Sequence, residues 1–408
     1  MSNLSYVEKL LDGVEVEWKP LADIAEIYGG LTGKSKTDFE SGNANYISYK
    51  NIFNNIDVDP SQLELVKVSE NERQHKVRYG DILFTGSSEI ATEAGISSAV
   101  TVDFKEPVYL NSFSFGVRFN DDVKLMPEFS KYLFRSRFMR AEIAKSASGV
   151  TRFNVSKARF KKILIPILCP DNSEKSLAIQ AEIVRILDAF TAMTAELTAE
   201  LTAELNMRKK QYNYYREKLL TSELLSSKEA TLGEILDMRA GKHIKAKDIS
   251  AIKNTEHKYT CFGGNGSRGF VQEYSHEGDY ALIGRQGALC GNVKRATGKF
   301  YATEHAVVCT PKEGIDIDWA FHMLTYMNLN QYKSQSAQPG LAVGNLANLV
   351  INVPPISEQK KIAKVLDKFD ILTSSIREGL PREIELRQKQ YEYYRDLLLS
   401  FPKQEVAA

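Results

Sequence analysis

The feature of this sequence that most constrains its fold is a long segment that occurs twice. The motif RKKQYNYYREKLL begins at Arg208 and RQKQYEYYRDLLL begins at Arg387, so the two copies lie 179 residues apart. The same offset continues upstream without a gap and places Phe190 opposite Phe369. Because a duplicated segment builds the same structural unit twice, the chain is predicted to fold with an approximate two-fold axis.

Both copies are predicted to be long amphipathic helices. In the first copy, apolar and aromatic residues recur mostly in steps of three and four, which is the spacing of one helix face. A helix from Ile183 to Leu220 would be about 57 Å long. An apolar stripe of this length needs a partner, and the other copy packed antiparallel is the simplest one. Gly379 and Pro381 predict a kink or a break in the second copy.

The first copy contains the tetrapeptide TAEL three times, from Thr194 to Leu205. Four residues are slightly more than one helical turn, so each TAEL adds about 6 Å of rise and about 40° of rotation beyond a full turn. The repeat is therefore predicted to change helix length and little else. Its leucines fall opposite apolar residues of the second copy: Leu197, Leu201 and Leu205 opposite Ile376, Leu380 and Ile384.

The segments between the helices also repeat, although more weakly. LADIAEIYGG at Leu21 matches LGEILDMRAG at Leu232, and YGDILFTGSS at Tyr79 resembles EGDYALIGRQG at Glu277. Short β-like runs and a few helical stretches predict one mixed α/β domain of roughly 130 to 150 residues in each segment.

The N-terminal residues complete the pattern, because EKLL at Glu8 occurs again at Glu217, just before the second globular segment. The repeat is thus pseudo-circular. The predicted fold class is α+β, with two mixed α/β domains separated by two long antiparallel helices in a pseudo-two-fold arrangement. The predicted boundaries are 1–20 for an N-terminal segment that completes the distal helical region, 21–168 and 231–355 for the two globular domains, 169–230 for the central helical spacer, and 356–408 for the C-terminal helical region.

Composition excludes several classes of function. The net charge is +1 over 408 residues, so a nucleic-acid surface would have to be a local patch. The four cysteines form no CxxC pair, which argues against a zinc site or disulfides and favours a reducing cytoplasm. The N-terminus lacks the pattern of a signal peptide, and no apolar run approaches the roughly 18 residues of a membrane helix.

Two motifs resemble enzyme signatures without matching them. In YGGLTGKSK, three residues separate Gly29 from Gly33, whereas a P-loop has four; phosphate-backbone contact or a solvated turn suits this loop better. NVPP at Asn352 differs from the NPPY motif of amino-methyltransferases and lacks a Gly-rich AdoMet loop, so we interpret it as a strand end before a helix. The histidines are scattered without metal-ligand spacing, and the sequence gives no positive sign of catalysis.

Polar loops recur at matching places in the two globular segments. They are rich in Arg, Lys, Gln, Asn and Ser, which contact phosphates and base edges in DNA. Any one loop could be an ordinary turn, but recurrence in two divergent copies favours a shared DNA-binding role. The candidates in the first segment are Lys34, Lys36, Tyr49, Lys50, Asn51, Ser87, Ser88, Asn111, Arg152 and Asn154. Those in the second are Lys242, Lys245, Asn265, Arg268, Arg285, Gln286, Thr303, His305 and Gln338.

Two divergent globules between two similar helices, with TAEL repeats, the RKKQYNYYR and RQKQYEYYRD tails and CPDNSEKSLAIQAEIVRILD, resemble the specificity subunit of Type I restriction–modification enzymes. The resemblance covers the whole chain and is closest to the IC subfamily. It implies that each globule is a target-recognition domain for one half of a split double-stranded DNA site. It also implies that the helices act as a ruler between the half-sites.

The same resemblance implies the partners. Two modification subunits that carry AdoMet and methylate adenine would join two restriction subunits with ATP-dependent translocase and nuclease activity. AdoMet, ATP and Mg²⁺ are thus implied for the partners, and no cofactor, metal or catalytic residue for this chain. The helical residues implied in spacing and in docking the modification subunits are Leu197, Leu201, Leu205, Tyr212, Tyr215, Ile376, Leu380, Ile384, Tyr391 and Tyr394.

A coiled-coil scaffold with two protein-binding globules is the alternative from another class. It explains the helices but not the polar loops that recur in both globules. A self-sufficient methyltransferase is a third class, and it lacks the expected AdoMet and catalytic motifs in this sequence.

Overall fold

The computed structural model describes residue 10 and residues 13–221, 227–287, 289–335, 339–375 and 378–402. The chain divides into two compact units, Met1–Thr198 with Glu385–Ala408, and Ala199–Ile384. Each unit therefore combines one globular domain with the start of one helical copy and the end of the other. The EKLL motif at Glu8 lies mostly outside the described residues, so the pseudo-circular seam stays a prediction.

The first domain consists of short strands in several small sheets, with short helices around them. One sheet has the strand order β2-β10-β6-β8, a second has β4-β3-β9-β5, a third has β11-β12-β7, and β1 pairs with β13. The strands are β1 Val16–Pro20, β2 Ala25–Gly29, β3 Ala44–Ile47, β4 Glu64–Val66, β5 Lys76–Val77, β6 Ile82–Thr85, β7 Ser87–Ser88, β8 Ser97–Ala99, β9 Val108–Leu110, β10 Ser114–Phe119, β11 Ala147–Ser148, β12 Phe153–Val155 and β13 Leu164–Leu168. The α-helices are α1 Leu21–Ile24, α2 Tyr49–Asn54, α3 Pro127–Arg135, α4 Arg137–Ser146 and α5 Lys157–Phe160.

The second domain repeats this topology. Its sheets have the orders β15-β22-β19-β20 and β17-β16-β21-β18, and β14 pairs with β23. The parallel pair β16–β21 corresponds to β3–β9 in the first domain, whereas the neighbouring pairs are antiparallel in both. The strands are β14 Lys228–Thr231, β15 Leu236–Ala240, β16 Tyr259–Gly263, β17 Gly266–Val271, β18 His276–Glu277, β19 Tyr280–Gly284, β20 Val293–Ala296, β21 Lys299–Ala302, β22 Ala306–Pro311 and β23 Val350–Val353. The α-helices in this domain are α7 Leu232–Ile235, α8 Ile317–Tyr326 and α9 Val343–Ala347.

The chain enters and leaves each domain at the same place. β1 and β13 form an antiparallel ladder from Val16 opposite Leu168 to Pro20 opposite Leu164. β14 and β23 do the same in the second domain. Each domain is therefore an insertion whose two ends are joined by backbone hydrogen bonds.

Aromatic packing holds the first domain together. The rings of Phe84, Phe115 and Phe160 contact one another with centroids 4.9 to 5.3 Å apart, and all three are buried. Burying each such side chain contributes roughly 1.5 to 3 kcal/mol. In the second domain, the fully buried Trp319 of α8 belongs to the main hydrophobic core. These cores fix the strand ends from which the polar loops emerge.

The first helical copy is one continuous helix, α6, Ser173–Thr221. It starts ten residues before the predicted Ile183, and the side-chain Oδ1 of Asn172 accepts a hydrogen bond from the Lys175 N–H at 2.9 Å near its first turn. At 1.5 Å per residue, its 49 residues extend about 73 Å. None of the described helices is long and apolar enough to cross a membrane.

The second copy is two helices, α10 Ile356–Ser374 and α11 Leu380–Leu398, which confirms the predicted break. Gly379 has φ +85°, a backbone conformation that L side chains rarely adopt. A Cβ at this position would lie 2.4 Å from the Ile371 carbonyl oxygen, so the chain passes too close to α10 for any other residue. Pro381 then lies in the first turn of α11, where its missing N–H costs little.

The two helical copies pack antiparallel within each unit. In the first unit, Phe190 of α6 stacks on Tyr394 of α11 at 5.5 Å, and Thr191 Oγ1 donates to Tyr391 Oη at 3.0 Å. In the second unit, Tyr215 of α6 stacks on Phe369 of α10 at 5.7 Å. Because the 179-residue offset relates Phe190 to Phe369 and Tyr215 to Tyr394, the same ring pair forms in both units. The predicted α+β class and the antiparallel helix pairing are confirmed.

Candidate nucleic-acid interface

Four of the polar candidates in the first domain meet at β7. Ser87 of β7 lies opposite Asn154 of β12 in the strand ladder. Arg152 Nε donates to Ser87 Oγ at 3.1 Å, and Tyr49 Oη donates to the Ser87 carbonyl at 3.0 Å. Burial raises the pKa of Tyr49, so its hydroxyl stays neutral and available as a donor. Arg152 and Asn154 are exposed beside this anchor, whereas Ser87 itself is buried.

The loop after β9 joins this group. The Gly86 N–H donates to the Phe113 carbonyl at 2.8 Å, and the Phe113 N–H donates to Asn111 Oδ1 at 2.8 Å. A Cβ on Gly86 would lie 2.5 Å from the Phe113 carbonyl oxygen, so only glycine lets the two loops approach this closely. The loops that carry Asn111, Ser87 and Arg152 therefore form one surface, which we call the first reading surface.

An equivalent surface forms in the second domain. Gln286 follows β19 and makes an isolated β-bridge with Gly340, and the Leu341 N–H donates to the Arg285 carbonyl at 2.9 Å. The Arg285 N–H in turn donates to the carbonyl of His305, after β21, at 2.8 Å. Gln338 lies outside the described residues.

The β16–β17 hairpin completes this second reading surface. Gly284 approaches the hairpin so closely that a Cβ on it would lie 1.9 Å from the Gly264 carbonyl oxygen. Asn265 Oδ1 accepts a hydrogen bond from Asn292 Nδ2 at 3.3 Å, and both Asn265 and Arg268 are exposed. The loops that carry Arg285, Gln286 and His305 thus lie beside the hairpin that carries Asn265 and Arg268.

The two surfaces arise from the same positions in the fold. Ser87 and Ser88 follow β6 as Arg285 and Gln286 follow β19, and the β7–β12 pairing corresponds to the Gln286 bridge. Asn111 follows β9 as Thr303 follows β21. The two domains therefore present different side chains on one scaffold, which suits the reading of two different DNA sequences.

Four of the predicted DNA contacts are structural residues. Asn51 is completely buried, its Nδ2 donates to the Asp59 carbonyl at 2.9 Å, and its Oδ1 accepts from the Asp59 N–H at 3.0 Å. Thr303 is also completely buried, and its Oγ1 accepts from the His305 N–H. Ser87 and Ser88 are buried as well, in the ladder with β12. These side chains position the surfaces from inside, which corrects the prediction that they touch DNA.

Lys34 is a further correction, because its ammonium forms an ion pair with Glu72 at 2.6 Å and its side chain is 5% exposed. The same pairing keeps the pKa of Glu72 low, near 2. The other predicted lysines are exposed: Lys36, Lys50, Lys242 and Lys245. Lys50 follows Tyr49 directly, and the Lys242 N–H donates to the Ala302 carbonyl next to Thr303, so these two border the reading surfaces.

Exposed apolar residues on the first reading surface were missed by the sequence analysis. Phe113 is 67% exposed beside Asn111, and Val150 is 92% exposed in the turn that leads to Arg152. Their only signal in the sequence was an apolar residue within an otherwise polar loop. Apolar side chains contact the thymine methyl group in DNA, so both belong among the candidates.

The predicted docking residues lie along the helices. Leu197, Leu201, Leu205 and Ile384 are half-buried, Leu380 is buried, and Ile376 lies outside the described residues. Tyr212 packs with Tyr215 around Phe369, and Tyr391 lies near Tyr394, so these four tyrosines hold the helix pairs. Their neighbours Tyr214 and Tyr393 are 58% and 64% exposed and are the better candidates for contact with a partner.

We expect the Arg152→Ala and Arg285→Ala variants to lose discrimination at one base pair each, in different halves of the recognition site. Removing an arginine that contacts a base costs about 1 to 3 kcal/mol of binding. The measurement is the methylation pattern of cells that carry each variant. Arg185→Ala, which removes an arginine paired with Glu182 on α6, is the matched control. Unchanged patterns in alanine variants of Arg152, Asn154, Arg285 and Gln286 would reject both surfaces.

The fold and the two surfaces define a duplicated protein. Its two recognition domains share one topology but carry different side chains on their reading surfaces. The family model for the Type I restriction modification DNA specificity domain matches residues 13–207 and 226–386. The chain belongs to this family. It is therefore a non-catalytic specificity subunit, since methylation and cleavage in Type I systems are carried by other subunits.

Similar proteins of known sequence agree with this family, and solved structures share the fold. The chain is 50% identical over 385 residues to the Type I restriction enzyme EcoprrI specificity subunit of Escherichia coli, covering 93% of each chain. It is 36% identical to the EcoR124I/EcoR124II specificity subunit of Escherichia coli over the full length of both. Its fold is similar to a chain of a solved type I R-M system (TM-score 0.66, 16% identity, covering 94% and 97%) and to the HsdS subunit of Thermoanaerobacter tengcongensis (TM-score 0.52, 15% identity, covering 94% and 95%).

Proposed function

We propose that each domain reads one half of an asymmetric, bipartite double-stranded DNA site. The observation that carries this proposal is that two domains of one topology gather polar side chains at equivalent strand ends, with different residues in each. A single domain type with two sets of side chains recognises two unlike sequences, and the two-domain chain joins them into one site. The paired helices then set the gap between the half-sites.

The helices also dock two modification subunits, which methylate adenine from AdoMet. Two restriction subunits with ATP- and Mg²⁺-dependent activity complete the complex in the cytoplasm. Tyr214 and Tyr393 support this part of the proposal, because they are equivalent exposed aromatic residues on otherwise polar helix faces. Aromatic side chains of this kind are frequent energetic centres of protein interfaces. Membership of the IC subfamily is part of this proposal.

Binding to duplex DNA at different salt concentrations tests the proposal against a coiled-coil scaffold. The complex of this chain with its modification subunits is expected to bind its own site more tightly than a scrambled duplex of equal length. The affinity should fall linearly on logarithmic axes as salt increases, with a slope of about −0.9 for each phosphate contacted. The scaffold would be favoured if the complex bound neither duplex, bound both with equal affinity, or bound with an affinity that salt does not change.

A further inference from the structure

A buried glutamine joins each domain to the helix that follows it. In the first unit, Gln180 of α6 is completely buried; its Oε1 accepts from the Met126 N–H at 2.9 Å and its Nε2 donates to the Lys124 carbonyl at 2.9 Å. Met126 occupies the N-cap position at the start of α3. The side-chain amide of Gln180 therefore binds the backbone of one loop with both its oxygen and its nitrogen.

Gln359 of α10 does the same in the second unit. Its Oε1 accepts from the N–H of Asp316 at 2.8 Å and its Nε2 donates to the Gly314 carbonyl at 3.1 Å. Asp316 occupies the N-cap position of α8, as Met126 does in α3, although only the Asp316 side chain accepts a hydrogen bond from its helix. In both units, the N–H that donates to the glutamine lies two residues after the carbonyl that accepts from it. The loop sequences themselves share no motif.

An aspartate two turns further along each helix makes the second connection. Asp188 of α6 accepts a hydrogen bond from Tyr132 Oη at 2.6 Å and pairs with Lys131 Nζ at 3.2 Å. Burial would lower the pKa of Lys131, but Asp57 and Asp188 outweigh it, so its pKa is raised and the pair stays ionic. The aspartate is thus bound by one neutral and one cationic donor from the domain.

Asp367 of α10 repeats this arrangement with different partners. His322 of α8, which occupies the position of Tyr132 in α3, lies with Nε2 2.8 Å from Asp367 Oδ1. Burial lowers the pKa of His322, and since a carboxylate can only accept, the neutral ring donates from Nε2. Arg295 of β20 supplies the cation.

The helix side of these contacts is identical in the two units, and the domain side is not. Glutamine and aspartate recur at the same spacing, whereas tyrosine and lysine are replaced by histidine and arginine. Apolar packing alone tolerates small rotations, but hydrogen bonds are directional and weaken steeply when misaligned. Four directional contacts at two points eight residues apart fix both the position and the rotation of a domain on its helix.

From this we infer that Gln180 with Asp188, and Gln359 with Asp367, form two equivalent attachment points, which we call seats. Each seat fixes one recognition domain on its helix. The two seats thereby limit how far the gap between the half-sites can vary in length. This inference rests on the proposed function. The seat residues are positioning residues: they touch no DNA, and they act through the domain that they hold. A domain from a relative can occupy a seat if it presents a helix cap to the glutamine and two donors to the aspartate.

The test uses the Gln180→Met and Asp188→Asn double variant in the complex with its modification subunits. Methionine has nearly the size of glutamine but makes neither hydrogen bond, and asparagine removes the charge that Lys131 pairs with. We expect both half-site sequences to be unchanged, while methylation at sites with a gap one base pair longer or shorter rises on the order of tenfold, the factor that corresponds to losing about one net hydrogen bond.

Controls separate this result from simple destabilisation. Gln388→Met makes the same chemical change at an exposed position of α11. It should leave the gap lengths of the methylated sites unchanged. If the double variant does not fold, as judged by thermal melting of the complex, the single Asp188→Asn and Asp367→Asn variants are measured in its place. The inference would be overturned by a folded variant that methylates sites of the wrong gap length no more often than the unaltered chain does. A folded variant with changed half-site bases would overturn it as well. A missing bipartite site in the unaltered chain would instead overturn the proposed function, before any variant is made.

Discussion

Deletion of Thr198 to Leu201 is expected to shorten the gap between the two half-sites by about one base pair and to leave both half-site sequences unchanged. The deletion removes one TAEL from α6, which is about 6 Å of rise and about 40° of net rotation. One base pair of DNA advances about 3.4 Å and turns about 34 to 36°. The rotations nearly match, and an inclined helix or a small adjustment of the domains absorbs the difference in translation.

Folding should survive this deletion. It removes nearly a whole turn, so the apolar stripe continues through half-buried leucines on both sides of the cut. In the described residues, the second copy is already interrupted between Ser374 and Leu380, so it can follow a shorter α6. The measurement is methylome mapping of the deletion variant, with Thr198→Ala as a control that keeps the helix length. A gap of unchanged length, or loss of half-site identity, would make the repeat a simple filler of the helix.

Replacement of residues 21–163 with the matching domain of a relative is expected to change one half-site completely and leave the other intact. The strand pair β1–β13 explains why such an exchange is possible, because both ends of the domain lie side by side in one ladder. The incoming domain must also engage Gln180 and Asp188, as described for the first seat. The reciprocal exchange of residues 232–349, between β14 and β23, should change only the other half-site.

Methylation patterns of the two exchanged proteins measure this directly. Both variants should keep the gap of the unaltered chain, since α6 is the same in each. A change in both half-sites after one exchange would contradict the assignment of one domain to one half-site. Loss of all methylation would be examined by testing whether the modification subunits still bind.

The helical part of this protein was predictable because its signal is local and duplicated. The spacing of three and four residues predicted α6, and Gly379 with Pro381 predicted the break before α11. A gapless offset over two helices also explains why the ring pair Phe190–Tyr394 of one unit recurs as Tyr215–Phe369 in the other. Local propensity and long-range pairing point to the same structure here, so the sequence is easy to interpret.

The recognition domains were only partly predictable because their contacts join distant and divergent segments. Loop composition placed Ser87, Arg152 and Asn154 in a common function, but it could not show that Asn51 and Thr303 point inward. Whether a polar loop residue is buried depends on which strand end approaches it. The seats were missed for the same reason: Gln180 and Gln359 matched in the repeat, but their partners Met126 and Asp316 lie in sequences without a visible match.

The most direct test of the central claim is a genome-wide map of methylated adenines in cells that carry the unaltered chain with its modification subunit. Two recognition domains fixed on one pair of helices predict a single asymmetric motif with two different half-sites and one constant gap. A continuous motif, a palindrome with identical halves, or a methylation pattern that does not change when this chain is removed would contradict the account.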